Sequence, residues 1–273
     1  MNFLDIRTIY FVVGFLNFLM PMITWVSMTS DRSRPTHLWC IGGLGFGFGG
    51  VLIAIRGAIP DWISFTVANI FILSSLLMRS HALRIELSLP RRHLTMVGLL
   101  IVYILVFEYI RLILENDLLR LQWGLLNLFM GSYYLAQLAW RISIQERSAN
   151  ARWIAIVYFL VSIGFLVRCI DMTFGNAPPD ILINTSAGLK SMFMLLISSV
   201  VEHIGFIGMS LEKSIQQKIQ LAATQARQQE NRLLSEQIAQ LDRPRSLGEM
   251  SASLGHELNQ PLTAILTNAQ VLR

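Results

Sequence analysis

Gly255-His256-Glu257-Leu258-Asn259-Gln260-Pro261-Leu262 brings an imidazole, a carboxylate and two amides within about two helical turns. A neutral imidazole facing water is a nucleophile at physiological pH, and a carboxylate that accepts its other N–H fixes the tautomer and raises basicity. Glu257 is the candidate for that second role. Leu247, Met250, Leu254, Leu258, Pro261 and Ile265 recur at three- and four-residue steps, so the segment reads as an amphipathic helix. His256 lies two positions beyond Leu254, roughly 200° around at about 3.6 residues per turn, and so points away from that seam. Asn259 and Gln260 share its face. Pro261 removes the donor that would reach the carbonyl of Glu257, so a kink is expected one turn past the histidine, giving the ring room to move.

The stretch from Ser246-Leu247-Gly248-Glu249-Met250 to Leu262-Thr263-Ala264-Ile265 resembles the dimerisation and histidine-phosphotransfer helix of bacterial sensor histidine kinases, in the subgroup with HELNQPL boxes. The resemblance covers about 30 residues and its motif is specific. It implies His256 as the phosphoacceptor, Glu257 as the acid/base that orients it, Pro261 as the helix-bending residue, and Asn259 and Gln260 in support. Many relatives that also dephosphorylate their partner carry Asn or Thr where this chain has Gln260, which puts phosphatase activity in doubt. In the intact kinase the family implies ATP and Mg as cofactors, a homodimer, and a cytoplasmic response regulator whose aspartate receives the phosphoryl group in a phosphorelay.

The sequence reaches Arg273 without an Asn-containing or glycine-rich nucleotide motif of that family. Phosphoryl transfer depends on positioning and charge stabilisation of the nucleotide, so this chain alone is expected to be a phosphoacceptor fragment, inactive by itself and without a cofactor of its own. Gly45-Phe46-Gly47-Phe48-Gly49-Gly50 fits G-x-G-x-x-G, but it lies inside an apolar run with no strand before it. Gly43 with Gly47, and Gly45 with Gly49, read instead as small-xxx-small pairs for close helix packing.

Hydrophobic residues make up 53% of the chain and charged residues only 14%, with a mean hydropathy of +0.53. Apolar stretches at 8–29, 38–57, 62–80, 94–112, 118–140, 152–172 and 188–210 each approach the roughly 20 residues a bilayer core demands. The fourth carries Glu108 and Arg111 near its end. A histidine phosphorylated from ATP must be cytoplasmic, so seven spans put the N-terminus outside. Arg32, Arg34, Arg84, Arg91, Arg92, Arg141 and Arg147 then fall inside, in keeping with the positive-inside bias. Arg56, Arg111 and Arg120 fall at the opposite end, with Asp61, Glu115 and Asp117 nearby. The net charge of +5 is spread along membrane edges, which points to anionic lipid headgroups and not to nucleic acid. Cys40 and Cys169 sit in apolar spans with no metal-ligand or disulfide spacing. The first span lacks a basic leader and a small-residue cleavage site and is expected to stay as an anchor.

Leu4-Asp5-Ile6-Arg7-Thr8, Trp39, Ile55-Arg56-Gly57-Ala58-Ile59-Pro60-Asp61-Trp62 and Asn69 resemble an N-terminal membrane sensor module that bacteria attach to several outputs, diguanylate cyclases among them. The loops are too short for a folded extracellular domain, so a stimulus would act within or beside the bilayer. Intramembrane polar residues are then the candidates: Glu108, Arg168 and the Glu202-His203 pair, with Asn17, Asn69, Gln122, Asn127 and Gln137 less costly to bury. The plain alternative is interhelical hydrogen bonding.

Residues 211–243 turn Gln-, Glu-, Arg- and Ala-rich without glycine and read as a continuous signalling helix. Ile215, Ile219, Ala222 and Ala226 form one seam and Leu234, Ile238 and Leu241 another, joined by a stutter-like step at Glu230. Pro244 is expected to break the helix briefly at Asp242–Arg245. The expected fold is all-α: a polytopic seven-helix transmembrane bundle over 1–210, a cytoplasmic coiled-coil signalling helix over 211–243, and the start of a dimerisation and phosphoacceptor domain over 244–273, with the first helix of its hairpin. The expected protein is a multi-pass sensor histidine kinase of the bacterial inner membrane. The rival expectation is a non-enzymatic membrane receptor or scaffold that dimerises through its cytoplasmic helix.

Overall fold

The computed structural model describes residues 5–28, 33–90, 92–175, 181–183 and 186–271, with backbone alone at 186–187, 240–249, 252 and 266–271. These residues are helical almost throughout, and no sheet occurs among them; the one strand-like contact is an isolated bridge between Arg56 and Ile59. The chain forms two compact units, Met1–Ser214 and Ile215–Arg273.

Short polar side chains start the helices. Asp5 caps α1 (Ile6–Ser27), and Ser33, followed closely by Pro35, caps α2 (Arg34–Ala54). Asn116 caps α5 (Asp117–Gln145) and Ser148 caps α6 (Ala149–Thr173), each accepting from a backbone N–H three residues on. A π-helical turn, Ile63–Val67, leads into α3 (Ala68–Glu86). Another, Ile110–Leu114, ends α4 (His93–Tyr109), and Glu115 then takes a left-handed conformation at φ 46°. The helix α7 is assigned from Ser186 to Val271.

Six segments are long and apolar enough to cross a membrane: Ile6–Ser27, Arg34–Ala54, Ile63–Glu86, His93–Leu114, Ala149–Thr173 and a stretch within Gly188–Ala239. The sequence suggested seven, and the difference is α5. It forms a helix of 29 residues, but Gln122, Asn127, Tyr133, Tyr134 and Gln137 dilute its hydropathy. Its inner face is nonetheless core, with Leu135, Leu138, Ala139 and Ile142 fully buried against α6 residues such as Ala151 and Ile154. Conversely, the charges that mark the end of the fourth stretch neutralise one another, since Arg111 Nη2 lies 2.6 Å from Glu108 Oε2. The expected break at Asp242–Arg245 is not formed; the backbone is helical through Pro244 and again through Pro261. Proline bars one intrahelical hydrogen bond and biases its predecessor, and neither effect forbids a helix whose other bonds continue.

The glycines of α2 let three helices meet closely. A Cβ on Gly47 would lie 2.9 Å from the carbonyl oxygen of Gly14 in α1, and one on Gly43 would lie 2.5 Å from Pro21 Cγ. On another face, a Cβ on Gly49 would lie 2.5 Å from Ile72 Cγ1 and 2.8 Å from the Ala68 carbonyl of α3. The small-xxx-small reading therefore describes α2, which is sandwiched between α1 and α3 through two separate glycine stripes.

Contacts between helix ends define the direction of each element. Arg7 at the start of α1 donates to the carbonyl of Arg56 just past α2, and Gln122 near the start of α5 donates to Thr173 at the end of α6. At the opposite end Lys213 of α7 pairs with Glu86 of α3 and lies 3.5 Å from Glu146 after α5. Glu212 accepts from Ser148 and, at 2.6 Å, from Asn150 of α6. Consecutive helices in the first unit thus alternate in direction, and α7 is fastened to the bundle at Glu212 and Lys213.

Alanine normally stabilises a helix over glycine by about 1 kcal/mol. We expect the reverse at Gly43 and Gly49, where Gly43→Ala and Gly49→Ala should destabilise by about 1–3 kcal/mol through overpacking. Gly98→Ala, where a Cβ meets nothing within 4 Å, should be neutral or stabilising. Thermal unfolding of the detergent-solubilised protein checks the contrast.

Candidate functional site

Two sets of chemically capable residues emerge, one in each unit. In the second, His256, Glu257, Asn259, Gln260 and Pro261 are all exposed on α7. The apolar seam beside them is exposed too: Met250 62%, Leu254 53%, Leu258 62% and Ile265 65%. The side chain of Leu247 lies outside the described residues. Neighbouring positions on a helix do not face one another, and no hydrogen bond joins His256 to Glu257 among the described residues. The imidazole is exposed to solvent, open to an incoming reactant.

The first unit holds the opposite arrangement, a polar cluster sealed inside the bundle. Its centre is Arg79 of α3, paired with Glu202 of α7, both side chains 3% exposed. Arg79 Nη1 also donates to Tyr158 Oη of α6 at 2.9 Å, and Nη2 donates to Asn17 Oδ1 of α1 at 3.0 Å. Asn17 is itself held by its amide, which donates to the Val13 carbonyl at 2.9 Å. His203 Nε2 lies 3.5 Å from Arg79 Nη2, and its Nδ1 lies 3.3 Å from Thr24 Oγ1. Four helices therefore converge on one guanidinium.

Aromatic rings and glycine close the cluster. Trp39 of α2 stacks on Phe206 of α7 at 4.5 Å between centroids and presents its ring 5.6 Å from the Arg79 guanidinium carbon. The His203 ring occupies the space that a Cβ on Gly43 would need, 3.0 Å away. Beside Glu202 and Tyr158 is a cavity of about 20 Å³, also lined by Ser198 and Ser199, which is room for a single water with polar partners.

The other intramembrane candidates separate by position. Glu108 accepts from Thr66 at 2.5 Å and from Arg111, near the end of α4. Arg168 is buried and donates to the Ile181 carbonyl at 3.2 Å and more weakly to Ser191. Asn69 bridges the Phe65 carbonyl and Tyr103, while Asn127 bonds the carbonyl one turn back. These contacts are structural, and they do not bring Glu108 or Arg168 to Glu202-His203. Of the predicted group, only Glu202, His203 and Asn17 belong together.

Arg79 and Tyr158 were not among the residues singled out from sequence. A signal existed: Arg79 sits near the end of an apolar run, where a cation reads as one that reaches the membrane edge. The helix in fact continues to Glu86, which moves Arg79 inward. Glu212 and Lys213 were missed for a related reason, since they fall where the apolar pattern has faded.

Breaking the ion pair on one side should be costly, by about 3–5 kcal/mol, because the remaining charge is left buried and unpaired. Glu202→Gln and Arg79→Met should each lower the unfolding temperature, and the double variant should recover part of the loss. Thermal unfolding of the four proteins in nanodiscs measures the coupling; simple additivity would contradict it.

Scans against protein-family models, curated proteins and solved structures found no match to this chain.

Proposed function

We propose that this chain is the membrane-sensing and phosphoacceptor portion of a dimeric sensor histidine kinase. The observation that carries the reading is the Gly255–Leu262 box, an eight-residue match to the phosphoacceptor motif on a helix whose His256 is exposed. In the intact kinase a neutral nitrogen of His256 attacks the γ-phosphorus of Mg-ATP, a P–N bond forms, and the P–O bond to ADP breaks. The proton on the other ring nitrogen is stabilised by Glu257 once the dimer or the nucleotide-binding domain brings the two together. The phosphoryl group then passes to a carboxylate oxygen of a response-regulator aspartate, restoring the imidazole.

In this reading α5 serves as a seventh crossing, its apolar stripe packed inside the bundle, and the ends gathered around Lys213 face the cytoplasm of a bacterial inner membrane. The N-terminus is then outside. The exposed residues Ile215, Ile219, Leu234 and Ile238 continue toward the Met250–Ile265 seam and supply the contact face of a parallel homodimer. A change at Glu202-His203 would reach His256 along α7.

Supplying the chain in membranes with a separately expressed ATP-binding domain of a histidine kinase bearing the same box, and with labelled ATP, tests the reading. Acid-labile, alkali-stable label should appear on the wild type and be absent from His256→Gln. Glu257→Gln should retain label but acquire it about 100-fold more slowly, as expected for loss of a general acid/base. If the domain binds nucleotide and the chain dimerises yet no label forms, the receptor or scaffold reading takes its place.

A further inference from the structure

Between α3, α4 and α5 lies a cleft of about 350 Å³, within the range of small-molecule sites. Along most of its length the wall is apolar: Leu73 and Leu77 from α3, Met96 and Leu99 from α4, Met130 from α5. Around it α4 turns an apolar surface outward, with Leu94, Val97, Ile101 and Val102 each more than half exposed. In a bilayer that surface meets acyl chains.

One end of the cleft is different in kind. There Arg84, Arg92, Thr95 and Tyr134 join the lining. Arg84 is 6% exposed. Its Nη1 donates to Tyr134 Oη at 2.6 Å and its Nη2 to the Pro90 carbonyl at 2.7 Å, while its Nε has no partner. Among the described residues no carboxylate pairs with it, in contrast to Arg79 and Glu202 little more than one turn earlier. A buried guanidinium without a counter-charge is costly, the more so within a membrane. Arg92 adds a second cation as the N-cap of α4, and no side chain caps the N–H groups that follow it. The positive end of the α4 dipole therefore points to the same place.

We propose that this cleft binds an anionic phospholipid. Its phosphate is held by Arg84, Arg92 and the first turn of α4, and an acyl chain lies along Leu77, Met96, Leu99 and Met130. Both halves of the site are needed to identify the ligand: a free anion would leave the apolar wall unfilled, and an uncharged lipid would leave Arg84 without its counter-charge. Binding here does not depend on phosphorylation of His256.

Native mass spectrometry of the full chain in detergent, titrated with phosphatidylglycerol and with phosphatidylcholine of the same acyl chains, tests the assignment. Phosphatidylglycerol should bind at least fivefold more tightly. Arg92→Gln should weaken it about fivefold, the usual effect of one cation near a membrane surface, and Leu77→Trp, which fills the apolar wall, should weaken both lipids. Arg92 is exposed and its side chain makes no hydrogen bond among the described residues, so this variant reports on binding and not on folding. Equal affinity for the two lipids, or undiminished phosphatidylglycerol binding by Arg92→Gln, would overturn the proposal. Displacement of phosphatidylglycerol by millimolar inorganic phosphate would replace the lipid with a free anion.

Discussion

The first unit is organised around the burial of one cation, Arg79, and its pairing with Glu202. An unpaired guanidinium in a hydrophobic interior is costly enough that the surrounding helices are constrained to bring it partners. Those partners come from α1, α6 and α7 through Asn17, Tyr158 and Glu202. Apolar surface alone is non-directional and lets helices slide or rotate. A hydrogen-bonded ion pair does not, and its demands fix the rotation of α7 so that Glu202 and His203 point inward while Ile197 and Ile204 stay on the outer face.

Such a cluster requires close helices, which the sequence provides by removing side chains. Gly42 lies where a Cβ would be 2.9 Å from Arg79 Cγ, and Gly43 where one would press on the His203 ring. The glycine-rich α2 gives up intrinsic helix stability for this proximity. Farther along α7, Gly205 and Gly208 repeat the device against Ile154 and Asn150 of α6. The cavity beside Glu202 is what remains after this packing, and Arg79 and Glu202 themselves line it together with Ser132, Ser198 and Ser199, so a small polar change there would be felt directly by the ion pair.

The periodicity of the sequence made the helices legible because hydrophobic length is set by the bilayer and is written in consecutive residues. The glycine stripes were legible for the same reason, as a local spacing. The partner of each buried polar residue was not, because Arg79 and Glu202 are far apart in sequence and each looks equally at home snorkelling to an interface. Glu202-His203 could be recognised as costly, whereas Arg79, nearer the apparent end of its run, could not until the extra turns to Glu86 placed it inside. α5 differs in the other direction. The stretch 118–140 reads as a span, yet its amides and tyrosines leave it outside the six segments apolar enough to cross a membrane, while Leu125, Leu135, Leu138 and Ile142 still provide a buried stripe. Pro244 shows how local such a bias is: the disfavour of helix at Arg243 yields where the turns before it, Glu236-Gln237-Ile238-Ala239-Gln240-Leu241, are mostly good helix formers.

The second unit presents the converse problem. The large apolar side chains described between Ile215 and Ile265 are about half exposed or more, and a solitary helix gains little stability in water because nucleation is unfavourable. Random placement of these residues would give no common face, but Leu254, Leu258 and Ile265 fall along one stripe while His256 lies off it. A second copy aligned in parallel would cover the stripe and leave both imidazoles outside. The same seam position would be lost if the histidine moved by two residues toward either neighbour, so spacing that looks incidental in one chain becomes a requirement once the helix is paired.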